Sequence, residues 1–95
     1  MGRTALVIFA ALYTYDPARE DIGEVRPLHR EYLKAQYDEG KLLASGPRGG
    51  GALILLQADS EADAREILDG DPFMKSGIVT DLDIEEWTVV YGPWA

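Results

Sequence analysis

Among side chains that move protons near neutral pH, this sequence offers one histidine, His29, and no cysteine. The ordinary titration range of histidine brackets neutrality, which suits it to general acid or base work. His29 sits in the run Val25-Arg26-Pro27-Leu28-His29-Arg30-Glu31-Tyr32-Leu33. Advancing a helix by about 100° per residue puts Val25, Leu28, Tyr32, Leu33 and Ala35 on one broad arc. Arg30, Glu31, Lys34 and Asp38 fall on the opposite side. His29 lies inside the apolar arc, beside Gln36. An imidazole turned toward a core needs a hydrogen-bonding partner. Two readings follow. His29 is a structural residue tying the helix to the sheet, or it is an acid–base group whose tautomer is held by a carboxylate on its far ring nitrogen.

Asp71 is the first choice for that carboxylate. It opens a second helical segment, which the topology below lays beside the first. Asp71-Pro72 is also the ordinary pattern of a helix N-cap followed by proline at the first position. The two roles are compatible, because one carboxylate oxygen caps while the other accepts from imidazole. Spacing alone separates Asp71 only slightly from the other carboxylates. Arg26 precedes His29 by three residues, so the two are neighbours at the helix start. It is either a solvated charge paired with Glu24 or an anchor for a carboxylate or phenolate. Ser45-Gly46-Pro47 ends a short strand, where the Ser45 hydroxyl serves a ligand or a turn.

Other motifs carry less. Gly49-Gly50-Gly51 leads into a strand, whereas a phosphate cradle leads into a helix N-terminus; a hairpin loop is the plain reading. One histidine and no cysteine argue against zinc patterns, so neither a metal nor a cofactor is expected. Asp81, Asp83 and Glu85 alternate along a strand, a pattern that keeps a sheet edge soluble.

The elements that must position these groups read as follows. Residues 4–13 are rich in β-branched and aromatic types and form a strand. It is apolar on both parities, with Leu6, Ile8 and Leu12 on one face and Val7, Phe9 and Tyr13 on the other. A polar loop runs to Gly23. The first main helix starts near Arg26, with Pro27 at its first position, and Gly40 ends it as a C′ residue. Residues 42–45 form a short strand and residues 46–51 a tight connection. Residues 52–58 form a third strand, paired with the second as an antiparallel hairpin. Ser60 and Asp63 make a capping box for a helix reaching about Asp69, and Gly70 stops it. After the turn at Asp71, closed by Gly77, residues 79–91 form the last strand. Leu82, Ile84, Thr88 and Val90 share one of its faces.

The order β-α-β-β-α-β predicts a ferredoxin-like α+β fold: an antiparallel four-stranded sheet with both helices on one face. Two short helices cover only one side, yet the first and third strands are apolar on both. A second copy packed sheet to sheet would cover the rest, so a homodimer is expected. The 95 residues make one domain spanning 1–95. A net charge of -8 with no basic stripe opposes nucleic-acid binding. The longest apolar run, at about nine residues, falls well short of the roughly twenty needed to span a bilayer. No membrane association is expected. A single Arg3 before that run, with no cleavage site, argues against a signal peptide. The lack of cysteine suits a reducing cytoplasm.

Three stretches together resemble the YCII-related domain family (YciI-like proteins). They are Val25-Arg26-Pro27-Leu28-His29 with Tyr32-Leu33, Gly40-Lys41-Leu42-Leu43 leading to Ser45-Gly46-Pro47, and Asp71-Pro72-Phe73 with Gly77 and the closing strand through Trp87. The resemblance implies a ferredoxin-like fold that dimerises through its sheets, the dimeric α+β barrel. It also implies an active site centred on a histidine and an aspartate, positions that match His29 and Asp71. Arg26, Ser45, Gly46 and Pro47 match positions expected to line the same pocket. Members include a dehydrochlorinase acting on a chlorinated hydroxyhydroquinone, and muconolactone isomerases share the fold. The loop between the second and third strands is shorter here than in some members, so the pocket's shape does not carry over. The expectation is a small lyase or isomerase acting on a cyclic or aromatic substrate of unknown identity. The alternative is a non-catalytic domain of the same fold that binds a small ligand.

Overall fold

The computed structural model describes residues 6–95. Its elements are β1 (Ile8–Tyr15), α1 (Ile22–Asp38), β2 (Leu42–Arg48), β3 (Gly51–Gln57), α2 (Glu61–Asp69), α3 (Pro72–Lys75) and β4 (Val79–Trp87). The four strands form one sheet in the order β2-β3-β1-β4, antiparallel at every pairing. This is the ferredoxin-like α+β fold, the class that includes the dimeric α+β barrels. The core lies between sheet and helices. Phe9, Ala11 and Tyr13 of β1, Ile54 and Leu56 of β3 and Ile84 of β4 pack there with Leu33 of α1 and Leu68 of α2. Each large apolar side chain buried this way contributes about 1.5–3 kcal/mol. By alternation along paired strands, Ile8, Ala10, Leu12, Leu53, Leu55 and Trp87 belong to the other face of the sheet.

Several boundaries differ from the sequence reading, each for a reason of pairing or packing. The expected strand at 4–13 begins at Ile8 and runs on to Tyr15 through a register shift after Thr14; positions 4 and 5 lie outside the described residues. β4 stops at Trp87, not at residue 91, because Ile8↔Trp87 is its last rung on β1. Among the described residues no strand pairs with the chain past that rung, and Val90 and Tyr91 are exposed. β2 is longer than expected. Gly46 and Pro47 are in the strand, and only Gly49 and Gly50 remain between the Arg48↔Gly51 pair, a two-residue hairpin turn with Gly49 at φ 54°. Pro47 is tolerated because β2 is an edge strand.

Helix α1 starts at Ile22 and holds Pro27 in its interior, not at its first position. Asp21 stands at the N-cap without a side-chain cap bond. Its carboxylate instead takes the Arg19 guanidinium, both contacts at 2.8 Å. The proline removes one helical hydrogen bond to Gly23. Gly23 is exposed, so solvent is available to satisfy the freed carbonyl. At the other end Gly40 has φ 81°, the left-handed conformation expected of a C′ glycine. The apolar arc also differs. Only His29 and Leu33 are buried on α1, while Leu28 is 58% exposed.

Candidate functional site

Asp71 caps α3: its Oδ1 accepts the Phe73 backbone N–H at 3.0 Å. The cap brings the carboxylate under α1, which packs on α3. There His29 Nδ1 lies 2.8 Å from both Oδ1 and Oδ2. From β1, the Tyr13 hydroxyl donates to Oδ2 at 2.8 Å. Asp71 is 0% exposed and His29 7%, so the carboxylate is removed from water and served by three donors. A buried carboxylate needs such partners. Burial first, then the negative charge of Asp71, pushes the Tyr13 phenol far above its ordinary range, so it stays protonated and remains a donor.

This arrangement sets the tautomer of His29. With Nδ1–H donating to Asp71, the lone pair of the neutral imidazole sits on Nε2. Among the described residues Nε2 has no protein partner, and no buried side-chain nitrogen or oxygen there lacks one. Nε2 is therefore not fully buried. The ring is also held in plane. Phe73 stacks on it with centroids 3.9 Å apart and planes 5° from parallel. Tyr15 in turn packs edge-on against Phe73 at 5.3 Å.

His29 opens onto a cleft of about 580 Å³ between α1 and the β2–β3 hairpin, within the size range of small-molecule sites. A bulge decides what the hairpin presents to it. Leu42 pairs with Leu56, but the register then shifts, so that Ser45 pairs with Ile54 and Pro47 with Ala52. Ile54 and Leu56 belong to the helix-facing core. The extra residue thus puts Ser45 and Pro47 on the helix-facing side of the sheet, and Ala44 and Gly46 beside them also border the cleft. Arg26, Ser45, Gly46 and Pro47 all line the cleft with His29, while Asp71 stands behind the imidazole.

The family model of the YCII-related domain matches residues 7–88. The chain belongs to the YCII-related domain family. No functionally curated protein matches its sequence. Two solved structures resemble this YCII-related domain in fold. One is a 5-chloro-2-hydroxyhydroquinone dehydrochlorinase from Burkholderia phenoliruptrix in complex with 2,5-dihydroxybenzoquinone. It is 19% identical at a TM-score of 0.75, over 85% of this chain and 93% of that one. The other is an antibiotic biosynthesis monooxygenase, 18% identical at a TM-score of 0.59, over 90% of this chain and 100% of that one.

The site of this YCII-related domain also contains residues that sequence reasoning did not single out. Tyr13 and Phe73 read as core from their strand and helix positions, and nothing local marks their contacts with Asp71 and His29. Arg30 and Lys34 are exposed, as their side of the helix predicts, and both also line the cleft. The successive i, i+4 spacing of Arg26, Arg30 and Lys34 is the available signal: the three cations form one row along α1. Burial raises the Tyr15 phenol and Asp71 adds to that, while Arg26 and Arg30 act in the lowering direction.

Proposed function

We propose that this domain is a small enzyme of the lyase or isomerase kind, with His29 as its proton-transfer group. The carrying observation is the His29–Asp71 contact at 2.8 Å, which leaves Nε2 directed to a ligand-sized cleft. In this reading Nε2 takes a proton from a substrate C–H or O–H, and the charge that forms on the imidazole is stabilised by Asp71. The proton then returns to another carbon in an isomerisation, or is lost as the leaving group departs with its bonding pair. Asp71 and Phe73 fix the ring's position, and Arg26 and Ser45 hold an oxygen-bearing group. No step requires a cofactor. The dehydrochlorinase named above, similar in fold, acts on a ring of this type, which supports a small cyclic or aromatic substrate. The lack of cysteine suits a cytoplasmic setting.

The test is His29→Asn, screened against small phenols, quinols and lactones with melting temperatures alongside. The variant is expected to fold and bind as before and to lose on the order of 10²–10⁴ in turnover. Unchanged turnover per folded molecule would leave a ligand-binding domain as the better account.

The same reading includes a homodimer. On the face away from the helices Leu53 is 36% and Trp87 43% exposed beside Ala10 and Leu12, while Ile8 and Leu55 there are already buried within the chain. Asp81, Asp83 and Glu85 confine this patch by lining the β4 edge of that face. A second copy offers the matching surface under twofold symmetry. Light scattering at micromolar concentration is expected to give twice the chain mass, and a soluble monomer would remove the sheet-to-sheet dimer.

A further inference from the structure

The charge of the cleft is opposite to that of the chain. The sequence holds 17 acidic and 9 basic residues, yet no acidic residue lines the cleft and Arg26, Arg30 and Lys34 do. Lys34 is neutralised by Asp38 at 2.8 Å. Arg26 and Arg30 enter no ion pair among the described residues, although Glu24 and Glu31 lie on the same helix. They stand one turn apart, about 6 Å along the helix axis. Opposite and beneath them the wall is apolar, from Leu33, Leu42, Ala52 and Ile54. A cleft with an apolar wall and two unpaired guanidiniums above it matches an occupant with a hydrophobic body and an anionic end.

We infer that the cleft selects small organic anions, meaning an apolar ring or chain bearing a carboxylate or an ionised phenol or enol, and that Arg26 and Arg30 are the residues that read the charge. This rests on the cleft being the substrate site and names its substrate class. The anionic group lies against the guanidiniums and the apolar body against the hairpin, which leaves the reacting carbon beside His29. Neutral analogues of the same shape lose the charge-assisted hydrogen bonds and leave the two cations unsatisfied.

Gentisate, phenylacetate and cyclohexenecarboxylate, each beside its methyl ester, are titrated into the protein and followed by NMR. At least one acid is expected to bind about tenfold or more tightly than its ester, the scale of a hydrogen bond to a charged group. Added salt narrows the gap. Arg26→Gln and Arg30→Gln each reduce the preference, the double variant abolishes it, and Arg26→Lys retains part of it. Glu66→Gln, away from the cleft, leaves it unchanged. The inference fails if no acid outbinds its ester, or if the double variant, shown to be folded by its spectrum, keeps the preference. His29→Asn separates this from the catalytic reading: it is expected to keep the charge preference in binding whatever it does to turnover.

Discussion

Helix α1 borders two clefts of opposite character. On its β2 side lies the cleft of about 580 Å³ with Arg26, Arg30 and Lys34 and no acidic lining residue. Near its C-terminal end, against α2 and the end of β3, lies a larger one of about 940 Å³. That second cleft carries Glu39, Asp59, Asp63 and Glu66 against Lys41 alone. Size does not distinguish a site here; internal wiring does. Behind the cationic cleft a buried carboxylate collects three donors from β1, α1 and α3. The acidic cleft has solvated carboxylates, and its one Tyr32 hydroxyl is spent on the Ile67 carbonyl at 2.6 Å. Its charge matches the excess of the whole chain, so it needs no functional cause, whereas the cationic cleft runs against that excess.

The largest effect that sharpens this contrast is expected from Asp71→Ala. The substitution strands the Tyr13 hydroxyl, the Phe73 N–H and the His29 ring in the interior, at about 1–3 kcal/mol for each unpaired buried group. Urea unfolding should show a loss of about 3 kcal/mol or more, while Glu66→Ala in the acidic cleft stays within about 0.5 kcal/mol. Equal losses would dissolve the distinction between the two clefts.

Tyr13→Phe is next, at about 1.5–3 kcal/mol for a hydrogen bond to a charged acceptor. It also carries a pH signature. The Tyr13 phenol is raised in the folded state, so its contribution is complete below the unfolded value of about 10 and is lost as pH rises beyond it. The native protein is therefore expected to lose stability progressively above about pH 10. The variant should show a shallower decline, though not a flat one, since Tyr15 and Tyr32 are raised too. Parallel alkaline curves would show that the Tyr13–Asp71 bond does not hold in solution.

The smallest effect compares the two caps. Ser60 caps α2, which walls the acidic cleft, by accepting the Asp63 N–H at 3.1 Å in an exposed setting. Ser60→Ala is expected to cost about 1 kcal/mol in unfolding experiments, without altering turnover or ligand binding in the cationic cleft. A change in either would couple the two clefts.

Much of this was legible in the residues. The double-sided apolar pattern of β1, the glycine stop at Gly40 and the Ser60 and Asp71 caps all depend on neighbours within a few positions. The pairing of His29 with Asp71 followed from the topology and the family resemblance, and the two side chains do meet. Arg30 and Lys34 are exposed, as the helical wheel predicts, but the wheel does not show that this row also borders the cleft. In the structure α1 lies over the sheet with only His29 and Leu33 driven fully inward, which leaves the neighbouring row at the cleft.

The element types, the β-α-β-β-α-β order, the cap that presents Asp71 and the overall acidity are all written in the order of the residues. Each is a property of composition, local period or short-range hydrogen bonding. Three further features arise only from contacts between distant elements. The register shift after Leu42 turns Ser45 to the cleft. The Tyr13 bond to Asp71 crosses 58 positions of chain. Phe73 stacks flat on His29. None of these has a local signature, because each is fixed where strands and helices far apart in sequence close on one another, and the close packing of a core admits few ways to do so.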